Sequence, residues 1–290
     1  MFWIILALGA GLANAAKGAI VKKNLSSLPP MLVAWTGLFF GLPLLGGMLL
    51  LEAPTGLGPH FWPVLLLSGT LNAISVLLYI KAFQSASDLS LTMPMLAFGP
   101  LVVMLSSWLI LGERPGWLGA LSLLLFAVGA YALNLSNANR GLLAPYRALL
   151  HEPGPRYMLA VVLLWGIIGP FDKLGVQNSS PVFWVTATTL VATLLMLPLA
   201  LGSIARIASW KQHLPTLVVA GFLEALIFVL MMGAVSMTLV AYVVAVKRSE
   251  LLFGVVLGYM LFREGGMRAR LAGSGVMMLG IVVLTFASAT

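Results

Sequence analysis

Apolar runs of about twenty residues recur along the chain, separated by short breaks where Lys, Arg, Pro and Gly collect. A run of that length crosses a hydrocarbon core of about 30 Å as a helix, and a helix satisfies its own backbone hydrogen bonds in lipid. The pattern predicts spans over residues 2–21, 30–51, 62–84, 89–111, 117–135, 157–176, 182–202, 214–236, 239–262 and 270–288. Pro29, Pro30, Pro63, Pro181 and Pro215 stand at span starts, where a missing N–H costs little. The longest polar stretch, "SNANRGLLAPYRALLHEPGPR", follows the fifth span. It divides the chain into residues 1–136, a connecting loop 137–156, and residues 157–290.

The two parts resemble each other. "GTLNAISVLLYIKAF" from Gly69 and "GFLEALIFVLMMGAV" from Gly221 share their glycine and alanine spacing. "LGERPGWLGALSLLLFAVG" and "FREGGMRARLAGSGVMMLG" pair Glu113 with Gly129 and Glu264 with Gly280 at one separation. Because five is odd, a second copy of five spans enters the membrane from the opposite side. The expected fold is an all-α integral membrane protein with ten transmembrane helices, arranged as two inverted-topology five-helix repeats. Carriers built this way hold their solute near the midplane, between the copies.

Composition agrees with this picture: 61% of the 290 residues are hydrophobic and 8% charged, with a mean hydropathy of +1.06, which leaves no segment for a soluble domain. The net charge of +8 comes from Lys and Arg scattered at span ends, which argues against a nucleic-acid surface. Lys22, Lys23, Arg140, Arg147, Arg156, Arg206, Lys211, Arg263, Arg268 and Arg270 follow odd-numbered spans, whereas only Arg114 and Lys173 follow even-numbered ones. Odd loops are therefore expected in the cytoplasm and both termini outside. With no Cys, the chain has no disulfide or thiolate metal site. His60, His151 and His213 fall in loops without metal-ligand spacing, and neither a nucleophile elbow nor a Walker A loop occurs. No enzyme activity, cofactor or metal is expected.

Charges within the spans carry the candidate chemistry. Lys17, Lys22, Lys81, Asp172 and Lys173 lie within a turn or two of a span end, where long side chains reach the interface. Glu113 and Glu264 stand at turns, placed to cap the helix that follows each. Trp35, Trp62, Trp117 and Trp210 fit an interfacial belt. Glu224, Lys247, Arg248 and Glu250 lie deeper, where each costs about 2.5–3.5 kcal/mol unless it faces protein, water or another charge. Lys247 and Glu250 share a helix face that Gly254 and Gly258 continue, Arg248 points about 100° away, and Glu224 comes from the neighbouring span. Two cations and two carboxylates sum to zero, so they form either a self-contained network or the lining of a central cavity. The first half has Asn72 where the second has Glu224, and it carries Pro94 and Pro100 where the second has its charges. These prolines should bend or break their span. Asn14, Trp165, Tyr79 and Tyr242, the last near Lys247, complete the candidate lining.

At these residues the chain resembles the drug/metabolite transporter superfamily, in its ten-helix EamA-like branch. The likeness spans the whole chain and is most specific in the twofold repeat and the two Glu-to-Gly segments. It departs from the pattern at Arg263, where the first copy has Gly112, and in orientation, since several relatives are placed with both termini in the cytoplasm. The resemblance implies a multi-pass carrier of the bacterial inner membrane that moves small organic solutes by alternating access, often outward. The expected function is export of a small polar or zwitterionic, amino-acid-like metabolite. Alternatives are an exporter of lipophilic cations or drugs attracted by an unpaired Glu224, a sugar or nucleoside carrier, or a membrane scaffold that transports nothing. Glu224 is the expected site of proton coupling. Expected partners are the solute and membrane lipids, and monomer and homodimer stay equally open.

Overall fold

The computed structural model describes residues 1–25, 27–52, 56–87, 89–135, 144–204, 208–262 and 267–287, and every element among them is helical. The helices are α1 (Phe2–Asn24), α2 (Pro30–Leu51), α3 (Phe61–Gln84), α4 (Leu89–Thr92), α5 (Gly99–Leu111), α6 (Trp117–Leu135), α7 (Ala144–His151), α8 (Pro153–Gln177), α9 (Pro181–Ile204), α10 (Leu214–Val235), α11 (Val240–Lys247), α12 (Glu250–Phe262) and α13 (Met267–Ala287). Seven helical segments among the described residues are long and apolar enough to cross a membrane, and the apolar parts of α6 and α13 are shorter. The chain is a multi-pass membrane protein.

Two of the predicted spans are broken. Residues 89–111 form α4, a 3-10 segment over Met93–Phe98, and α5. Pro94 and Pro100 lack the N–H that would continue an α-helical ladder, which accounts for the tightened turns between them. Residues 239–262, read from sequence as one helix, part at Arg248 and Ser249. No proline causes this second break. The Arg248 amide is shared between the carbonyls of Val244 (3.3 Å) and Ala245 (3.0 Å), and Ser249 N–H donates to Val246 at 2.9 Å. The last turn of α11 thus tightens and ends, and α12 begins at Glu250.

Packing follows an exchange between halves. α1 packs on α10 and α3 on α8, while α5 packs on α8 and α12 on α1; α2 meets α9, and α6 meets α13. α6 and α13 approach each other backbone to backbone. A Cβ on Gly129 would stand 2.7 Å from Met277 Cγ, 2.8 Å from Met277 N and 2.9 Å from Gly273 O, and one on Gly280 would meet Phe126 and Ser122 O. These contacts correspond at a single sequence offset of 151, since 129, 126 and 122 map onto 280, 277 and 273. Backbone atoms cannot rotate aside, so Gly129→Val should force the two helices apart. We expect a loss of about 2 kcal/mol or more, read as a lower thermal unfolding midpoint of the purified protein.

Two irregularities position the polar groups. Gly112 takes a left-handed conformation (φ 70°) after α5, and Glu113 N–H returns to Ser107 O at 3.2 Å, a glycine-closed helix end that aims the Glu113 side chain. Pro170 inside α8 leaves the carbonyl of Gly166 without its helical donor, and Ser106 of α5 supplies a hydroxyl instead.

Candidate functional site

The break between α11 and α12 brings its three charges together. Glu250 Oε2 pairs with Lys247 Nζ at 2.6 Å and accepts a hydrogen bond from the Asn14 amide of α1. Glu250 Oε1 accepts from Arg248 Nη1 at 3.2 Å. The i,i+3 pairing of Lys247 with Glu250 is the one the spacing predicts. Arg248 joins it because the turn at Arg248 and Ser249 removes the 100° separation that an unbroken helix would impose. Close packing makes room for this turn: a Cβ on Gly11 would stand 2.7 Å from Ser249 Oγ and 3.0 Å from Lys247 O. The first-half break faces the second, because a Cβ on Gly99, between the 3-10 segment and α5, would stand 3.0 Å from Arg248 Nη2. Pro94 and Pro100 are buried beside it.

Glu224 does not stand alone. Lys17 of α1 forms its ion pair, with the side chains 25% and 21% exposed. Lys17 therefore belongs to the interior and not to the interface assigned to it from sequence. Its distance from the end of α1, seven residues or about 10 Å, is the signal that would have found it. Its charge reaches Lys247, and Tyr79 of α3 lies within electrostatic reach of Glu250, Arg248 and Glu224. One neighbourhood thus holds Lys17, Lys247 and Arg248 against Glu224 and Glu250. The sum is +1, where the sequence reading balanced to zero.

The amide and aromatic candidates divide. Trp165 packs against Tyr79 (ring centroids 5.6 Å apart) and donates from Nε1 to Ser75 Oγ at 3.0 Å, so α8 and α3 meet on the side facing the charges. Asn72 turns back on its own helix, donating to Ser68 O at 3.1 Å. Tyr242 departs from expectation: it is buried, stacks on Trp3 (6.3 Å) and fills the space above Gly119, with no contact to Lys247 among those described. Trp35 is likewise buried rather than part of a belt, its Nε1 donating to Thr193 O at 3.0 Å.

A second polar group lies at the end of the bundle formed by the even-numbered loops. Glu113 pairs with Lys173 and accepts from the backbone N–H of Val240 at 3.0 Å, while Lys173 Nζ donates to Thr238 O at 2.7 Å. Glu113 therefore caps α11 of the other half, not α6 that follows it in sequence. Lys173 is a largely buried ion-pair partner and not an interfacial side chain. Asp172 is not one either: Oδ1 accepts from Ser68 Oγ at 2.5 Å and from Trp184 Nε1 at 3.1 Å. Glu264, Arg263, Arg140 and Arg206 lie outside the described residues.

Stranding Glu224 tests the Lys17 assignment. Lys17→Ala should lower stability by about 1–3 kcal/mol, against less than about 0.5 kcal/mol for Lys81→Ala at an exposed position. Lys17→Met with Glu224→Gln should recover most of the loss, as read by thermal unfolding of the purified variants.

A shallow groove of about 380 Å³ lies beside Glu113, lined also by Met104, Trp108 and Arg114 near the turn after α5. Among the described residues no cluster of three or more metal-ligating side chains occurs.

No curated protein sequence matches the chain. A crystal structure described only as that of a protein superposes with a TM-score of 0.76 at 16% identity, covering 98% of this chain and 96% of that one, a likeness of fold. The sequence profile of the EamA-like transporter family matches twice, over residues 1–135 and again over residues 153–286. The chain therefore belongs to the EamA-like family, a membrane transporter of the drug/metabolite type.

Proposed function

We propose that the protein is a secondary carrier for a small metabolite that bears an anionic group, an amino-acid-like zwitterion fitting best. The observation that carries this reading is Arg248. Its side chain is 8% exposed, yet Nε is buried without a hydrogen-bond partner among the described residues, and only Nη1 touches Glu250. A guanidinium offers five donors in a planar fork suited to a carboxylate, and an unmet donor at depth costs about 1–3 kcal/mol. An anionic group on the solute satisfies it and offsets the surplus positive charge, while Glu224 or Glu250 receives the ammonium. The lipophilic-cation reading needs an unpaired Glu224, and Lys17 removes that condition.

In this proposal ten passes form two oppositely oriented halves, residues 1–136 and 157–290, joined by residues 137–156. The exchanged packing of α1 on α10 and α3 on α8, and the matching glycine contacts of α6 and α13, support it. The site takes Asn14, Lys17, Tyr79 and Gly99 from one half and Glu224, Lys247, Arg248 and Glu250 from the other, so rocking between halves exposes it to each side in turn. The arrangement described is closed at the even-numbered loops by Glu113 and Lys173. Toward the odd-numbered loops, one turn beyond Glu250, nothing lies within 4 Å of where a Cβ on Gly254 would stand. The bias of Lys and Arg puts the odd loops in the cytoplasm of a bacterial inner membrane, with both termini outside.

The test is a thermal-shift screen of the purified carrier against amino acids, sugars, nucleosides and cationic dyes, followed by flux of the hits in proteoliposomes. A solute at about 100 times its Kd stabilises by about 2.7 kcal/mol. Stabilisation and flux are expected for solutes with a carboxylate. A response confined to the dyes would overturn the proposal.

A further inference from the structure

Every carboxylate described within the long helices has a cation beside it except Asp172. Glu224 has Lys17, and Glu250 has Lys247 and Arg248. Among the described residues the donors to Asp172 on α8 are two neutral groups, the hydroxyl of Ser68 on α3 and the indole N–H of Trp184 on α9, both on fully buried side chains. A carboxylate in such surroundings must be held by its hydrogen bonds or take a proton. The next residue is Lys173, which holds the Glu113 turn and the start of α11.

We propose that Asp172 is a proton-binding site through which a proton gradient drives the carrier. This rests on the transporter reading and moves the coupling from Glu224, which Lys17 neutralises, to a carboxylate that no cation among the described residues pairs with. As a carboxylate, Asp172 ties α8 to α3 and α9 by charge-assisted hydrogen bonds, roughly twice as strong as neutral ones. Taking a proton from water turns both into neutral bonds and loosens α8 at the residue preceding the Glu113–Lys173 closure. Protonation therefore favours opening at the even-numbered loops, and release of the proton favours the closed arrangement. Asp172 sits about 8 Å, five residues, from the α8 end at those loops, so the proton arrives from the side that opens.

The titratable groups on the elements packed against α8 are few. α3 carries Tyr79 and Lys81, α7 carries Tyr146, Arg147 and His151, α10 carries Glu224, and α11 carries Tyr242 and Lys247; α4, α5, the 3-10 segment and α9 carry none. Among the described residues no cation forms an ion pair with Asp172.

The chain contains no cysteine, so spin labels can be placed at Gly116→Cys and Met237→Cys, exposed positions flanking the Glu113 and Val240 contact. Dipolar broadening between them should be present at about pH 8 and lost at about pH 5 as Asp172 takes up its proton. With Asp172→Asn, which keeps the acceptor for Ser68 and Trp184, the broadening should no longer depend on pH. Infrared titration of the unlabelled protein over the same range should show the carbonyl stretch of a carboxylic acid sheltered from water, absent from Asp172→Asn and retained in Glu224→Gln. Broadening that ignores pH in the parent, that still follows pH in Asp172→Asn, or a carbonyl band that survives that substitution overturns the proposal. Neither measurement uses a solute, so a failed ligand screen leaves both readable.

Discussion

Arg248→Ala is expected to abolish binding and flux of carboxylate-bearing solutes while leaving the protein folded. The guanidinium is the most deeply buried cation of the site, and its Nε has no partner to lose among the described residues. Removing it takes the charge balance of the neighbourhood from +1 to zero and leaves Glu250 with Lys247 and Asn14, so no carboxylate is stranded. Losing one member of a buried charged pair with a ligand costs about 2–5 kcal/mol. At the middle of that range affinity falls at least about a hundredfold. Arg248→Lys should recover part of it, because it restores the charge but not the planar fork. Ligand-dependent thermal shifts on the two variants, with unliganded midpoints close to the parent, are the check. Equal shifts in parent and Arg248→Ala would contradict the assignment.

The second large effect belongs to the closure at the even-numbered loops. Lys173→Ala should strand Glu113 and leave Thr238 O without its donor, and Glu113→Ala should strand Lys173 and uncap α11. The two side chains are 14% and 9% exposed. Breaking such a pair costs about 3–5 kcal/mol, and in the proposed cycle part of that cost falls on the closed arrangement alone. Both variants should therefore favour the open arrangement as well as unfold at lower temperature. The double variant Glu113→Gln with Lys173→Met should be milder than the sum of the singles, since no unpaired charge is left. A double-mutant cycle on unfolding midpoints gives the coupling, and strict additivity would show that the pair contributes nothing.

How much of this was legible in sequence depended on whether the cause was local. Helix positions were legible, because runs of about twenty apolar residues carry that information themselves. The break near Pro94 and Pro100 was legible for the same reason: proline removes a donor wherever the chain goes. The break at Arg248 was not. It arises where Gly11 of α1 lets Ser249 approach and where Asn14 of α1 joins the two local donors of Glu250, contacts between residues far apart in the chain. Lys17 was misplaced because nearness to a helix end was weighed without its partner, Glu224, two hundred residues away. Glu113 carried a correct local signal, a carboxylate at a turn, but its helix was in the other half. Asp172 has the local signal of an ordinary residue near a span end, and its donors among the described residues, Ser68 and Trp184, come from other helices.

In the proposed carrier an aqueous chamber lies beside Arg248 and Glu250, open toward the odd-numbered loops. Gly254 lies one turn beyond Glu250 on the same face of α12, with room for a side chain. Val256, 54% exposed, lies on the opposite face. Thiol modification by a membrane-impermeant maleimide needs the thiolate and therefore water. Gly254→Cys should react from the odd-loop side, more slowly once a stabilising solute is bound, and Val256→Cys should not react. A Gly254 thiol as inert as one at Val256 would place that face in lipid and contradict the chamber.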